Sequence, residues 1–222
     1  MILALAATEI EMSPLQALLR DRDLPCLTLV TGVGPVETAV CLSGFLAAPP
    51  RKIGMVVNFG VAGGYVSTLD GEGPELLDLY LAETEAFGDL GICFPDRIEP
   101  FAGDLAGRLR FSLDTGLLGQ AHRIFEAINI VVKTGNFVTV SGVSATRKRG
   151  EMLKRRFTAH CENMEGAAIA RVCTEYGLPL LEIRCISNLV EDRDPAGWRL
   201  QEACVKSAWA ASEIIKNCVE PS

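Results

Sequence analysis

Apolar residues fall in short unbroken runs that alternate with stretches of helical spacing. Residues 1–7, Leu27–Val30, Ile53–Phe59 and Leu180–Ser187 read as buried strands, and residues 76–86 as an extended segment. Residues 13–20 read as a helix with Ser13 as cap and Pro14 at the first helical position. Residues 36–47 form a second helix, stopped by Pro49-Pro50. Thr146–Phe157 is a basic helix, residues 165–176 a helix ended by Gly177 and Pro179, and Leu200–Val219 an amphipathic closing helix. Between them, residues 121–127 fit a short helical turn, and Ile128–Lys133 and Phe137–Ser141 fit two strands. Residues 88–120 are rich in Gly, Pro and Asp and show no strong period, which predicts an irregular loop. Continuous rather than alternating apolar strands belong to a sheet covered on both faces by helices. No stretch reads as a linker, so residues 1–222 form one α/β domain.

Composition narrows the function classes. An apolar content of 49% supports a large core, and a net charge of −7 with a pI near 5.0 lacks the basic footprint of a nucleic-acid or membrane-surface protein. The eight cysteines are scattered with no C-x-x-C pair, so they read as reduced, buried small hydrophobes of a cytoplasmic protein. Only His122 and His160 are available, so no His-based metal site and no cofactor is expected. The apolar N-terminus lacks a basic leader, and Glu9 and Glu11 follow too soon for a signal peptide. No run reaches the roughly 18 apolar residues of a membrane span.

Five motifs carry the candidate chemistry. Glu165 sits in Met164-Glu165-Gly166-Ala167-Ala168-Ile169-Ala170, a carboxylate at the mouth of a small-residue helix. A half-buried charge there needs a partner, and a sugar diol is one, because an ionised carboxylate accepts two O–H bonds. Thr31-Gly32-Val33-Gly34 and Gly60-Val61-Ala62-Gly63-Gly64 are glycine turns at strand ends that admit a ligand close to the backbone. The first is no dinucleotide fingerprint, because Glu37 stands where the third glycine belongs. Glu11, Gly34, Gly64 and Asn188 all lie just past predicted strands, where α/β sheets bind ligands, and Glu165 reaches the same crevice from a helix start.

In this order the motifs resemble the hydrolytic branch of the nucleoside phosphorylase/nucleosidase superfamily over nearly the whole chain. Methylthioadenosine/adenosylhomocysteine nucleosidases carry an acidic cluster after strand one, then Ser-Gly-Ile-Gly, Gly-Ser-Ala-Gly-Gly, Met-Glu-Ala-x-Ala-Ile-Ala and Arg-x-Ile-Ser-Asp. The corresponding segments here are Ala7-Thr8-Glu9-Ile10-Glu11, the two glycine segments, the Met164 segment and Arg184-Cys185-Ile186-Ser187-Asn188. The resemblance implies a three-layer α/β/α fold with a central mixed sheet flanked by helices. It also implies a small-molecule nucleoside substrate, no cofactor, and a homo-oligomer of at least two chains, with a neighbouring chain at the 5′ pocket. Glu11 would position and activate water, Glu165 would bind the ribose hydroxyls, and Met164 would pack on the sugar. Asn188 would face the purine edge, and the Ser141-Gly142-Val143-Ser144 turn would meet the base through backbone groups.

One departure bears on the base. Asn188 stands where adenine-specific members have Asp. An Asn amide offers two N–H donors and one acceptor and cannot serve as a general acid. A 6-oxopurine presents O6 and N7 as adjacent acceptors, which suits Asn and repels a carboxylate. The run Ile186 to Asp194 resembles the branch of the family that hydrolyses futalosine to release hypoxanthine. If N7 needs a full proton, Asp192 and Asp194 are the nearest candidate acids, although pairing with Arg193 is the simpler role for both. The carboxyphenyl ketone on the 5′ side of futalosine needs an apolar wall and a cation. Phe94, Arg97, Phe101, Arg108, Arg110 and Phe111 are available in the irregular stretch, though most suit ordinary surface or packing roles. The basic run Arg147–Arg156 reads as a solvated helix face. A phosphorylase would need a basic phosphate cradle near Gly32–Gly34, where Glu9, Glu11 and Glu37 stand instead. A non-catalytic nucleoside-binding protein is the remaining alternative, and the aminodeoxyfutalosine- or methylthioadenosine-cleaving enzymes are the nearest catalytic one.

Overall fold

A computed structural model describes residues 1–66, 73–94, 96–103, 105–192 and 194–218. Strand β1 (Ile2–Ala6) is buried along its length and leads into α1 (Glu9–Asp21). The helix begins well before Pro14. Thr8 and Glu11 form a capping box in which the Glu11 N–H donates to the Thr8 hydroxyl at 3.4 Å and the Thr8 N–H donates to the Glu11 carboxylate at 3.1 Å. Pro14 therefore lies inside the helix, where it removes one backbone hydrogen bond. Then follow β2 (Cys26–Val30), α2 (Pro35–Ala47), β3 (Met55–Tyr65), β4 (Leu79–Phe87) and the two-residue strands β5 (Ile92–Cys93) and β6 (Ile98–Glu99). The second half holds β7 (Arg110–Ser112), α3 (Thr115–Ala127), β8 (Lys133–Thr139), α4 (Arg147–Phe157), β9 (Ala159–Asn163), α5 (Gly166–Tyr176), β10 (Leu180–Val190) and α6 (Leu200–Cys218). Val219, placed in the closing helix by the sequence, lies outside the described residues.

Several expectations are corrected. The stretch 88–120 carries three short strands and the start of α3. That helix is a full 13 residues, capped by Asp114, whose carboxylate accepts from the Leu117 N–H at 2.9 Å. Residues 128–132 are no strand: Asn129 adopts a left-handed φ of 57° after α3, and Ile130 and Val132 are apolar because they pack on the core. A single strand, β8, replaces the two predicted across this region. Strand β3 runs straight through Gly60–Gly64, which are strand residues rather than a turn.

The sheet is mixed, as expected, but it also closes on itself. Among the described residues its order is β10-β4-β8-β9-β3-β1-β2, with β7 on β4, and β10 pairs β3 as well. The strands β10, β4, β8, β9 and β3 therefore form a ring. Strand β3 pairs with β1 through residues 55–58 and with β9 at Gly63 and Gly64, while β10 runs parallel to it throughout. The glycines permit close packing at that change of partner. A Cβ on Gly63 would fall 2.9 Å from Val190 Cγ2, and one on Gly64 2.8 Å from Pro74 Cβ.

Helices α1, α3 and α6 share one apolar cluster with β1, β3, β4 and β10, and α2 and α5 share a second on the opposite face. Helix α4 covers a third cluster with β8 and the end of β3. The architecture is thus helix, sheet, helix. No helix among the described residues is long and apolar enough to cross a membrane.

Candidate active site

A cavity of about 260 Å³ opens at the carboxyl ends of β1, β3, β9 and β10. Glu11, Val143, Met164, Glu165 and Asn188 all line it. Residues far apart in sequence thus meet as the motif order implied. Gly34 acts from behind: its N–H donates to Glu165 Oε1 at 3.3 Å. Gly64 is packed against Pro74, Ile186 and Leu189, and its neighbour Gly63 lines the cavity instead. A groove of about 380 Å³ beside α4 is larger but contains none of these residues.

Glu11 sits in the first turn of α1 and is 5% exposed. Its Oε2 accepts from the Thr8 N–H at 3.1 Å and the Thr8 hydroxyl at 2.8 Å, and its Oε1 from the Val61 N–H at 3.1 Å. The capping box that starts the helix also fixes this carboxylate in the cavity. Gly60 makes room for it, since a Cβ there would lie 2.5 Å from Glu11 Oε1.

Glu165 is the N-cap residue of α5. The helix start is satisfied by others: Asn163 Oδ1 accepts the Glu165 and Gly166 N–H groups at 2.9 and 2.7 Å, and Thr139 Oγ1 accepts the Ala167 N–H at 2.7 Å. The Glu165 carboxylate is therefore free to face the cavity, with Arg184 Nη1 at 3.4 Å from its Oε2. Burial raises its pKa from the ordinary range, opposed by Arg184 and the Gly34 N–H.

Asn188 lies within β10 rather than beyond it, at a register shift between Ile186 and Asn188 that swings it toward the cavity. The Ser187 hydroxyl donates to its Oδ1 at 2.9 Å, and its Nδ2 lies 3.5 Å from the Leu189 carbonyl. Ser187 holds the oxygen and the Leu189 carbonyl takes one N–H, which leaves the second N–H of the amide for a ligand in the cavity.

Sequence reading missed the charged layer behind the site. Arg184 is 1% exposed; its Nε donates to Glu182 Oε1 at 2.8 Å, and its Nη1 also donates to the Val61 carbonyl at 3.3 Å. Glu85 and Glu182 are both fully buried, on either side of Gly166. Asn163 Nδ2 and Thr139 Oγ1 donate to Glu85. Burial, then the nearby Glu182 charge, pushes the Glu85 carboxyl well above the ordinary range. A carboxyl with a raised folded pKa binds its proton more tightly in the native state. Its stabilising effect is complete below the unfolded pKa and is lost as pH rises toward the folded value. Glu85→Gln should therefore flatten the decline in stability between pH 5 and 8, as read by urea melts at several pH values. An unchanged slope would refute the neutral carboxyl.

The remaining candidate residues lie away from the cavity. Asp194 caps the 3-10 turn Pro195–Gly197, accepting from the Ala196 N–H at 3.0 Å, and Asp192 accepts from the Arg147 N–H at 3.4 Å. Neither lines the main cavity, and Arg193 lies outside the described residues. None of Phe94, Arg97, Phe101, Arg108, Arg110 and Phe111 lines it either; Arg97 stacks on Phe94 at 3.9 Å, and Phe111 is core. In α4, Arg147 and Arg155 pair with Glu151 on an exposed face, whereas Arg149 reaches back to Asp89 at 3.2 Å. Cys161, Cys173, Cys185 and Cys204 are buried, but Cys93 is exposed. Burial pushes Cys185 up to about 12 and Cys204 up to about 11, so both thiols stay protonated at neutral pH.

The sequence model of the phosphorylase superfamily matches residues 22–220. The futalosine hydrolase of Thermus thermophilus is 35% identical over 193 residues, covering 84% of this chain and 80% of that protein. The aminodeoxyfutalosine nucleosidase of Helicobacter pylori is 28% identical over 188 residues, covering 85% and 77%. A solved structure of a futalosine hydrolase mutant of Helicobacter pylori superposes with a TM-score of 0.83 at 21% identity, covering 97% of this chain and 98% of that one.

Proposed function

Because the chain belongs to the phosphorylase superfamily, we propose that it hydrolyses the N-glycosidic bond of futalosine, giving hypoxanthine and dehypoxanthine futalosine on the futalosine route to menaquinone. The observation that carries this reading is the Asn188 amide, oriented by Ser187 in the same cavity as Glu11 and Glu165. Its NH2 group suits the O6 and N7 acceptors of hypoxanthine, whereas the 6-amino group of adenine would meet it donor to donor.

The roles follow from chemistry. N-glycosidic cleavage passes through an oxocarbenium-like ribosyl cation. Glu165 holds the 2′ and 3′ hydroxyls and places negative charge beside that cation, with Met164 packed on the sugar. Glu11 takes a proton from water as it attacks the anomeric carbon. Val143 and Ser144 border the base, and Asn188 stabilises charge building on the leaving purine. Gly34 holds Glu165 in place through its backbone N–H. Gly64 keeps β3 and β10 close beneath the site. Ile10, Val33, Val36 and Val40 are exposed, and the first two border the cavity, which supports a second copy of the chain closing its open side.

Incubation with futalosine, inosine and methylthioadenosine, followed by chromatography of the free base, tests the reading. Hypoxanthine from futalosine is expected; adenine without hypoxanthine would overturn it in favour of an aminodeoxyfutalosine or methylthioadenosine nucleosidase. Asn188→Asp should shift kcat/KM toward adenine nucleosides by about 10–100-fold, because one buried polar mismatch costs about 1–3 kcal/mol.

A further inference from the structure

Glu162 is a buried carboxylate on the cavity wall that no motif singled out. It lies on β9, is 4% exposed and lines the same cavity as Asn188. Gly63 lies between the two: a Cβ there would be 3.4 Å from Asn188 Nδ2 and 3.5 Å from Glu162 Cγ. The carboxylate is anchored on three donors. The Ser144 N–H donates to Oε1 at 2.7 Å, and the Ser144 and Tyr65 hydroxyls donate to Oε2 at 2.6 and 3.1 Å. Each carboxylate oxygen accepts two hydrogen bonds. Oε2 is filled, and Oε1 keeps one acceptor site.

We propose that Glu162 is a specificity-determining residue whose Oε1 accepts the N1–H of a 6-oxopurine while the remaining Asn188 N–H donates to the O6–N7 edge. The inference rests on the 6-oxopurine reading above and deepens it. Along its edge hypoxanthine presents acceptor, acceptor, donor at N7, O6 and N1. Adenine presents acceptor, donor, acceptor. A wall that offers an N–H group and then a carboxylate oxygen complements the first order and opposes the second at two positions. Burial raises the Glu162 pKa from the ordinary range, opposed by the hydrogen bonds from Ser144 and Tyr65, and the Ser144 N–H fixes Oε1 as an acceptor.

Two measurements test this. On the unaltered enzyme, calorimetry should show 1-methylhypoxanthine, which lacks the N1–H, binding about 10–100-fold more weakly than hypoxanthine. Equal affinities would overturn the proposal, and this measurement needs no variant to fold. In Glu162→Gln, whose amide can turn either face to the base, the hypoxanthine-to-adenine affinity ratio should fall by about 10–100-fold, with KM for the 6-oxopurine nucleoside affected more than kcat. A folded variant with an unchanged ratio would leave Glu162 as a mere tie between β9 and Ser144. Should the unaltered enzyme release adenine and no hypoxanthine, the 6-oxopurine reading itself falls. Should it release hypoxanthine while the ratio holds in the variant, the Glu162 proposal alone falls.

Discussion

Glu11→Gln should lower kcat by roughly 10²–10⁴-fold, the usual contribution of a positioned general base, while hypoxanthine still binds. The substitution keeps the side chain's shape and removes its ability to take a proton. It also has a structural cost. All three groups bound to Glu11 are donors, namely the Thr8 N–H, the Thr8 hydroxyl and the Val61 N–H. A Gln offers only one oxygen, so at least one N–H must face its NH2 group. That mispairing costs about 1–3 kcal/mol and weakens the start of α1. The kinetic loss must therefore be measured on folded enzyme, with melting temperature and product binding recorded alongside. Near-native turnover would remove Glu11 from the chemistry. Loss of turnover with retained binding would also exclude a purely nucleoside-binding protein.

Arg184→Met should destabilise the fold by about 3–5 kcal/mol, because it leaves buried carboxylates without their counter-charge. Arg184 is the cation shared by Glu182, at 2.8 Å, and Glu165, at 3.4 Å. Domains of this kind are stable by only about 5–15 kcal/mol, so the loss is a large share of the total. The double variant Arg184→Met, Glu182→Gln should recover part of it, since one stranded charge is removed with its partner. Urea titrations of the single and double variants check both expectations. A single-variant loss below about 1 kcal/mol would mean that the buried carboxylates do not depend on Arg184 for their stability.

The elements legible in the sequence are those whose residues are apolar for a single reason. β1 and α5 were read almost to the residue because burial alone sets their pattern. Strand β9 escaped because Glu162 and Asn163 are polar for the sake of the site and its hydrogen bonds, and polarity in a short run imitates a loop. Gly116 and Gly119 half hide helix α3, and Pro14, a residue type usual at a first helical position, masks the earlier start of α1. Glycine carries the same ambiguity in β3, where it marks close strand packing and reads as a turn. Of the candidate residues, Glu165 stands out by its chemistry, a carboxylate at the mouth of a small-residue helix, whereas Glu11, Met164 and Asn188 are marked by the resemblance of their motifs; all four line one cavity. Arg184 lies within a motif that does not reveal its role, and Glu85 and Glu182 give no signal, since a buried carboxylate on a strand looks like a surface one until the partner strands are known.

Closure of the sheet has a consequence for how the protein behaves in a crowded solution. A strand edge with unpaired backbone groups is a template on which other chains can add and aggregate. A ring of strands has no such edge. Among the described strands of this sheet, only β2, five residues long, and β7, three residues long, have a single partner. The same pairings that bring β3, β9 and β10 together around the cavity leave little of the sheet open to foreign strands.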